Sequence, residues 1–369
     1  MVRYANLAAD LADGFAMRLL HIMAGNGNGG AEVYSTDVML ALHEKGIDQC
    51  VVMRETAPRF NELKNAGIRM APEVLHNPFR FWQRHKMKQV IAREKPDIIH
   101  CWMRRAASLV PASAAKNGPL IGWFGNYEVI KHYAHCTDYV GVTKDIIAHT
   151  IKEGVAPDRA TYIPTFPTIM DAPAIDRAIL NTPKDAKVIL TLSRLHPKKG
   201  LDILMQAVKD FQDCYIWMAG DGPMKNELEA LSIKLGLQDR VRFLGWRTDR
   251  GALLKSADIC AMPSNYEPFG TVILEAWQAK VPFVACNSAG PAAHIINEEN
   301  GMLVPINDVA ALGKAIRKTL DDKILQEKMV ARGYAEYTKN FTKEAVTQTW
   351  LKHYDHLLQR FRAQGKQVA

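Results

Sequence analysis

Residues 263–276 read Pro-Ser-Asn-Tyr-Glu-Pro-Phe-Gly-Thr-Val-Ile-Leu-Glu-Ala, with Glu267 and Glu275 separated by seven residues around Pro268-Phe269-Gly270. Glu267 is expected in a loop after a strand, where a carboxylate accepts hydrogen bonds from sugar hydroxyls. Gly270 and Thr271 mark a helix start, whose free N–H groups and partial positive charge suit phosphate. Glu275, two turns into that helix, can take both hydroxyls of a ribose. Phe269 sits inside the same motif. One segment could thus hold both ends of a nucleotide sugar. The plainer reading of Glu275 is a charge on a helix surface.

Three further stretches have the same strand-then-helix placing. In Ser193-Arg194-Leu195-His196-Pro197-Lys198-Lys199-Gly200, Arg194 and Lys199 are two cations able to neutralise a diphosphate. In Gly220-Asp221-Gly222-Pro223, Gly222 permits a tight turn or a close approach to ligand, and Pro223 fits a first helical turn. In Gly245-Trp246-Arg247, Trp246 offers a flat face to a nucleobase, with Arg247 beside it. Each has a plain alternative: a solvated basic turn, an ordinary strand–helix turn and a packed tryptophan.

The elements that must carry these loops follow from hydrophobic periodicity. Strands are predicted at residues 18–24, 49–53, 97–102, 119–124, 139–143 and 161–164, then at 187–193, 215–220, 241–244, 259–263, 282–286 and 302–305. Helix-like stretches include residues 31–44, 79–94 and 143–153. This alternation argues for α/β architecture with parallel sheets covered on both faces. Pro164, Pro167, Pro173 and Pro183 break the rhythm, which suggests a linker between two doubly wound domains. Val346, Trp350, Tyr354, Leu357 and Leu358 form a helical stripe in the tail that must cover something. Sheets of this kind hold ligands at the carboxyl ends of their strands.

Composition narrows the classes. The chain has 369 residues, a net charge of +8 and 48% hydrophobic residues, so disorder and fibrous repeats are excluded and two domains are expected. The basic excess is too mild for a dedicated nucleic-acid binder. The six cysteines form no CxxC pair and are expected as buried thiols. No zinc spacing and no Asp-x-Asp occurs, so a metal site is not indicated. Residues 1–17 contain Asp10 and Asp13 and no unbroken apolar run, which does not describe a secretory signal. No stretch reaches the roughly 18–20 apolar residues of a membrane span.

Taken in order, Gly29-Gly30-Ala31-Glu32, Arg194 with Lys199, Gly220-Asp221-Gly222 and Glu267-x7-Glu275 resemble the signature of retaining glycosyltransferases of family 4, over about residues 17–340. The resemblance implies the GT-B fold: two Rossmann-like domains facing across a cleft, with a C-terminal helix packing back. The expected division is an extension (1–16), an acceptor domain (17–170), a linker (171–183), a nucleotide-sugar domain (184–340) and a returning helix (341–369). The loop from Ala24 to Gly30 superficially resembles a dinucleotide fingerprint, but in the family it lines the cleft, with Gly29 and Gly30 near donor phosphate. The family's usual N-domain histidine is missing after residues 119–124, and Trp123 or Asn126 is expected in that acceptor-side space. The later Gly-Gly-x-x-Glu element reads Ala289-Gly290-Pro291-Ala292-Ala293-His294, with His294 in place of the acid.

The resemblance implies sugar transfer from a nucleotide diphosphate, by default UDP, to an acceptor hydroxyl with retained anomeric configuration. No cofactor is expected beyond the nucleotide-sugar donor. Arg194 and Lys199 would stabilise the leaving group in place of a metal ion, and Glu267 would recognise sugar hydroxyls. Residues 79–95, Phe-Arg-Phe-Trp-Gln-Arg-His-Lys-Met-Lys and onward to Arg93 and Lys95, suggest contact with an anionic membrane. That suits a glycolipid acceptor such as a lipopolysaccharide core, and a cytoplasmic protein at the inner membrane face. The plain alternative is a packed helix with a solvated basic face. Rival readings are a nucleotide-sugar epimerase of the same fold and a non-catalytic nucleotide-sugar binder.

Overall fold

The structure, a computed structural model, describes residues 17–27 and 29–368. The extension expected over residues 1–16 lies outside the described residues. Two compact units form, the described residues of one being 17–164 with 346–368 and the other comprising residues 165–345. The chain passes from the first unit to the second at Pro164–Thr165 and returns at Ala345–Val346. Residues 171–183 belong to the second unit, where Arg177 donates to the carbonyl of Ala186 at 2.6 Å and to Asp258 at 3.0 Å.

The first unit is built on strands β1 (Arg18–Met23), β2 (Asp48–Val52), β3 (Arg69–Met70), β4 (Ile98–Trp102), β5 (Leu120–Phe124), β6 (Asp138–Gly141) and β7 (Ala160–Tyr162). They form one sheet in the order β3-β2-β1-β4-β5-β6-β7, every pair parallel. The second unit contains β8 (Lys187–Leu192), β9 (Cys214–Ala219), β10 (Val241–Gly245), β11 (Ile259–Met262), β12 (Phe283–Cys286) and β13 (Met302–Val304). Their order is β10-β9-β8-β11-β12-β13, again parallel. Both sheets therefore reverse their order at one point, beside β1 and β8 respectively.

The central strands are short apolar runs because helices cover both faces. All four residues of β11 are buried, as are all four of β12. Several helices start where the sequence supplies a side-chain cap. Thr143 Oγ1 accepts the Ile146 N–H at 3.1 Å, and Asp308 and Asp322 cap Ala311 and Leu325 at 2.9 Å each. All six cysteines are buried and free. Among the described residues, no helix is long and apolar enough to cross a membrane.

The tail helix, Lys343–Val368, contributes Trp350, Tyr354, Leu357 and Leu358 to the core of the first unit. Trp350 donates its indole N–H to the Tyr34 hydroxyl at 3.1 Å, and Tyr34 donates to the Pro164 carbonyl at 3.0 Å. Arg360 pairs with the buried Asp138. His100 lies against Trp102 and Trp350, at centroid separations of 4.0 and 4.8 Å, and its Nδ1 meets Tyr354 Oη at 2.9 Å. His21 Nδ1 accepts the Trp102 indole N–H at 3.1 Å, which fixes a neutral ring with the proton on Nε2.

Burial holds these histidines neutral: His21 is pushed down to about 3, His353 to about 4, and His100 well below the usual range. An unfolded histidine charges near pH 6.5, so below that pH the unfolded chain binds more protons than the folded one. Stability should then fall as pH drops from 6.5 towards 4, by about 1.4 kcal/mol per histidine for each pH unit. Urea midpoints at pH 7.5, 6.0 and 5.0 test this. His353→Gln should flatten the trend, and an unchanged slope would contradict the assignment.

Candidate functional site

The loops after β8, β9, β11 and β12 converge at the carboxyl edge of the second sheet, beside its order reversal. Gly200, with φ +61°, ends the turn Pro197–Lys199, and a Cβ there would lie 2.2 Å from the Pro263 carbonyl oxygen. Only glycine lets the β8 loop close on the β11 loop in this way. The seam is completed by the Asn265 N–H donating to the Lys198 carbonyl at 3.1 Å. Gly222, with φ +158°, would place a Cβ 2.3 Å from the Leu195 carbonyl oxygen. Its role here is to let the β9 loop lie against the backbone of the β8 loop.

Lys199 Nζ donates to Glu267 Oε2 at 2.6 Å, and both side chains are partly buried. Arg194, six residues from the end of that loop, is exposed and makes no hydrogen bond or ion pair among the described residues. Glu267 is further placed through its carbonyl, which accepts the Gly290 N–H at 2.7 Å. Gly270, at φ +85°, precedes the helix Thr271–Gln278, and Thr271 is half-buried at its first turn. Phe269 is buried, its ring edge-to-face with His294 at 4.7 Å, so it supports the loop from beneath.

Glu275 is 1% exposed and not a surface charge. Its Oε1 accepts from Arg250 Nη1, while Oε2 is buried without a partner. Burial raises its pKa against the opposing pull of the Arg250 charge. One oxygen, not two, is therefore left without a partner inside the protein. Trp246 is 65% exposed, with its face free. Arg247 donates to both oxygens of Asp249, at 2.8 and 2.5 Å, so its guanidinium is engaged inside the protein. His294 is held neutral by burial, near 4, and its Nε2 has no partner.

Three serine hydroxyls also lie buried and unpartnered: Ser193 after β8, Ser264 after β11 and Ser288 after β12. Buried polar atoms are nearly always satisfied. Their concentration with Glu275 Oε2 at one sheet edge fits a polar ligand supplying the missing partners. Sequence reasoning passed over these serines and Arg250. The serines carry a weak signal, a hydroxyl residue just past an apolar strand, whereas nothing in spacing pairs Arg250 with Glu275.

In the first unit, Gly29 precedes the helix Gly30–Glu44 in extended conformation, and Gly30 has open space where a Cβ would stand. The Glu32 carboxylate curls into this loop, 2.9 Å from the positions a Cβ would take on Gly25 and on Gly29. An internal anion thus already occupies the start of that helix. Trp123 is 2% exposed and stacks on Tyr34 at 5.8 Å, so it presents no face to an acceptor. Asn126 is exposed, and its Oδ1 accepts the Tyr127 N–H at 2.8 Å. Among the described residues, no group of three or more His, Cys, Asp or Glu could hold a metal ion.

Residues 28–166 match the family model for Glycosyltransferase Family 4, and residues 174–336 match that for Glycosyl transferases group 1. The chain is 33% identical over 342 residues to the lipopolysaccharide core biosynthesis glycosyltransferase LpsD of Rhizobium meliloti, covering 92% of this chain and 98% of that protein. The chain belongs to glycosyltransferase family 4. A second R. meliloti relative, the lipopolysaccharide core biosynthesis glycosyltransferase LpsE, is 32% identical over 91% of this chain and 98% of its own length. Among solved structures, Anabaena Alr3699/HepE in complex with UDP superposes with a TM-score of 0.79 at 21% identity, covering 92% of this chain and 100% of that one. The lipopolysaccharide outer core galactosyltransferase WaaB gives 0.71 at 16% identity, covering 90% and 98%. These likenesses give the fold as GT-B and this glycosyltransferase two doubly wound halves.

Proposed function

We propose that this glycosyltransferase moves a sugar from a UDP-sugar to a hydroxyl of a lipopolysaccharide core, with retention and without a metal ion. The observation that carries the reading is the set of unpartnered buried polar atoms (Ser193, Ser264 and Ser288 Oγ with Glu275 Oε2) on the same set of strand-end segments that supplies Arg194, Lys199 and Glu267. Arg194 and Lys199 bind the diphosphate, Glu267 the sugar hydroxyls and Glu275 Oε2 a ribose hydroxyl. The Trp246 face takes the base, while Arg247 fixes that loop through Asp249. Gly222, Phe269, Gly270 and Thr271 shape the pocket backbone, and Gly29 and Gly30 are assigned to donor phosphate, which requires the Glu32 carboxylate beside Gly29 to withdraw. Asn126 lies on the acceptor side. The bond from the anomeric carbon to the diphosphate breaks as the acceptor oxygen bonds to that carbon from the same face, and the acceptor hydroxyl's proton passes to the departing diphosphate oxygen. Positive charge stabilises the leaving diphosphate. The names of LpsD and LpsE support the acceptor class, and HepE structures with UDP and UDP-glucose support the donor.

The helix Arg80–Glu94 supports contact with an anionic membrane on the cytoplasmic side. Gln83, Met87 and Val90 are buried, leaving Phe79 68%, Phe81 75% and Trp82 51% exposed beside Arg80, Lys86 and Lys88. Apolar rings with flanking cations favour an anionic lipid interface.

Incubation with UDP-, GDP- and ADP-sugars and rough-strain lipopolysaccharide, with and without EDTA, tests the whole reading. Transfer from a UDP-sugar, unaffected by EDTA and giving the donor's anomeric configuration by NMR, is expected. Transfer only from another nucleotide sugar, or trapping of a glycosyl ester on Glu267, would overturn the corresponding part. Phe81→Ala with Trp82→Ala should abolish cosedimentation with phosphatidylglycerol vesicles, and undiminished binding would dismiss the membrane contact.

A further inference from the structure

The first sheet reverses its strand order between β1 and β4, and parallel sheets hold ligands at the carboxyl end of such a point. The glycine loop leaves β1 there. From β4 the chain leaves as Met103-Arg104-Arg105. Met103 has φ +66°, a left-handed conformation that side chains seldom adopt and that persists only where the surroundings impose it. Its Cε lies 3.3 Å from where a Cβ on Gly25 would stand, so the two loops touch at the reversal point.

This turn leaves Arg104 and Arg105 exposed, and neither guanidinium has a hydrogen bond or ion pair among the described residues. Elsewhere in the same unit Arg59, Arg69 and Arg93 each face a carboxylate. The short helix Met103–Ala107 packs on β5 and on the turn Ile130–Tyr133. Those two elements contribute the Trp123 Nε1–H and the Tyr133 hydroxyl, both buried and both without a partner. Glu128, the nearby acid, makes no ion pair with either arginine. The carboxyl edge of this sheet thus carries two uncompensated cations, and the elements packed against their helix hold two buried donors without a partner.

We propose that Arg104 and Arg105 form an anion subsite for the acceptor, so that the acceptor carries a phosphate or carboxylate. Guanidinium groups suit both anions because they donate two parallel hydrogen bonds. The inference rests on the glycosyltransferase reading above and deepens it by naming a property of the acceptor.

The probe is deacylated core oligosaccharide from a rough lipopolysaccharide, used intact, dephosphorylated or carboxyl-reduced. Transfer by the unaltered protein to any of the three tests the parent reading by itself. For the intact probe, Arg104→Ala with Arg105→Ala should raise acceptor KM at least tenfold with kcat changed less than threefold. Arg104→Lys with Arg105→Lys should recover part of that loss. Dephosphorylation, or else carboxyl reduction, should impose the same loss on the unaltered protein and little more on the alanine variant, which identifies the anion. In the unaltered protein, acceptor KM should also climb with salt. A KM unchanged by the alanine pair, an equal loss with all three probes, or a salt-independent KM would overturn the subsite while leaving the parent reading intact.

Discussion

Lys199→Ala should lower kcat by a factor of about 100–1,000, corresponding to about 2.7–4 kcal/mol of lost stabilisation of the departing diphosphate. The same change should barely alter thermal stability. The Lys199–Glu267 pair retains 23% and 16% exposure of its side chains, and partly solvated pairs are worth at most about 1 kcal/mol. Lys199 is already aligned by its 2.6 Å bond to Glu267, so it meets the donor pre-oriented. Arg194 has no such partner and is expected to act mainly in binding, so Arg194→Ala should raise donor KM more than it lowers kcat. Steady-state kinetics against donor, with melting curves alongside, separate these effects. A Lys199→Ala protein with kcat within threefold of the unaltered protein would remove the lysine from the mechanism.

Arg250→Ala should destabilise the second unit by about 3 kcal/mol, because it leaves the buried Glu275 carboxylate with no donor on either oxygen. For a unit of this size that is a melting temperature lower by roughly 6–12 °C. The loss should depend on pH with a definite sign. Burial raises the folded pKa of Glu275 above its unfolded value of 4.5, and losing Arg250 raises it further. The folded state then holds the proton that the unfolded state gives up, so the penalty is smallest near pH 4.5 and grows towards neutrality. Adding Glu275→Gln should recover most of the stability but not nucleotide binding. Unfolding midpoints of the two single variants and the double variant form the required cycle. Equal penalties at pH 5 and pH 8 would show that the pair acts otherwise.

The fold was largely legible because the apolar runs are short, regular and separated by longer helical stretches. Twelve of the strands follow from periodicity to within two residues at each end. The exception is β3, whose two residues, Arg69 and Met70, are too few to show a period. It is an edge strand held by Arg69 pairing with Asp48 and Glu94 rather than by apolar burial. The site was legible as loops but not as partnerships. Glu267 and Glu275 stand out by spacing, yet only the fold reveals that one grips Lys199 and the other Arg250. Trp123 misled because an aromatic at a strand end looks the same in sequence whether it faces a ligand or a core. Arg247 misled for a similar reason: Asp249, two residues away, neutralises it locally.

The return of residues 346–368 to the first unit has a consequence for biogenesis. On the ribosome, everything that builds the second unit is translated before the helix that completes the first. Until Trp350 and Tyr354 emerge, the aromatic surface formed by Tyr34, His100 and Trp102 stays uncovered on the nascent chain. The later half can therefore finish folding while the earlier one waits, a reversal of the usual vectorial order. During that interval the exposed rings invite chaperone capture, and arrival of the tail helix becomes the step that closes the first unit.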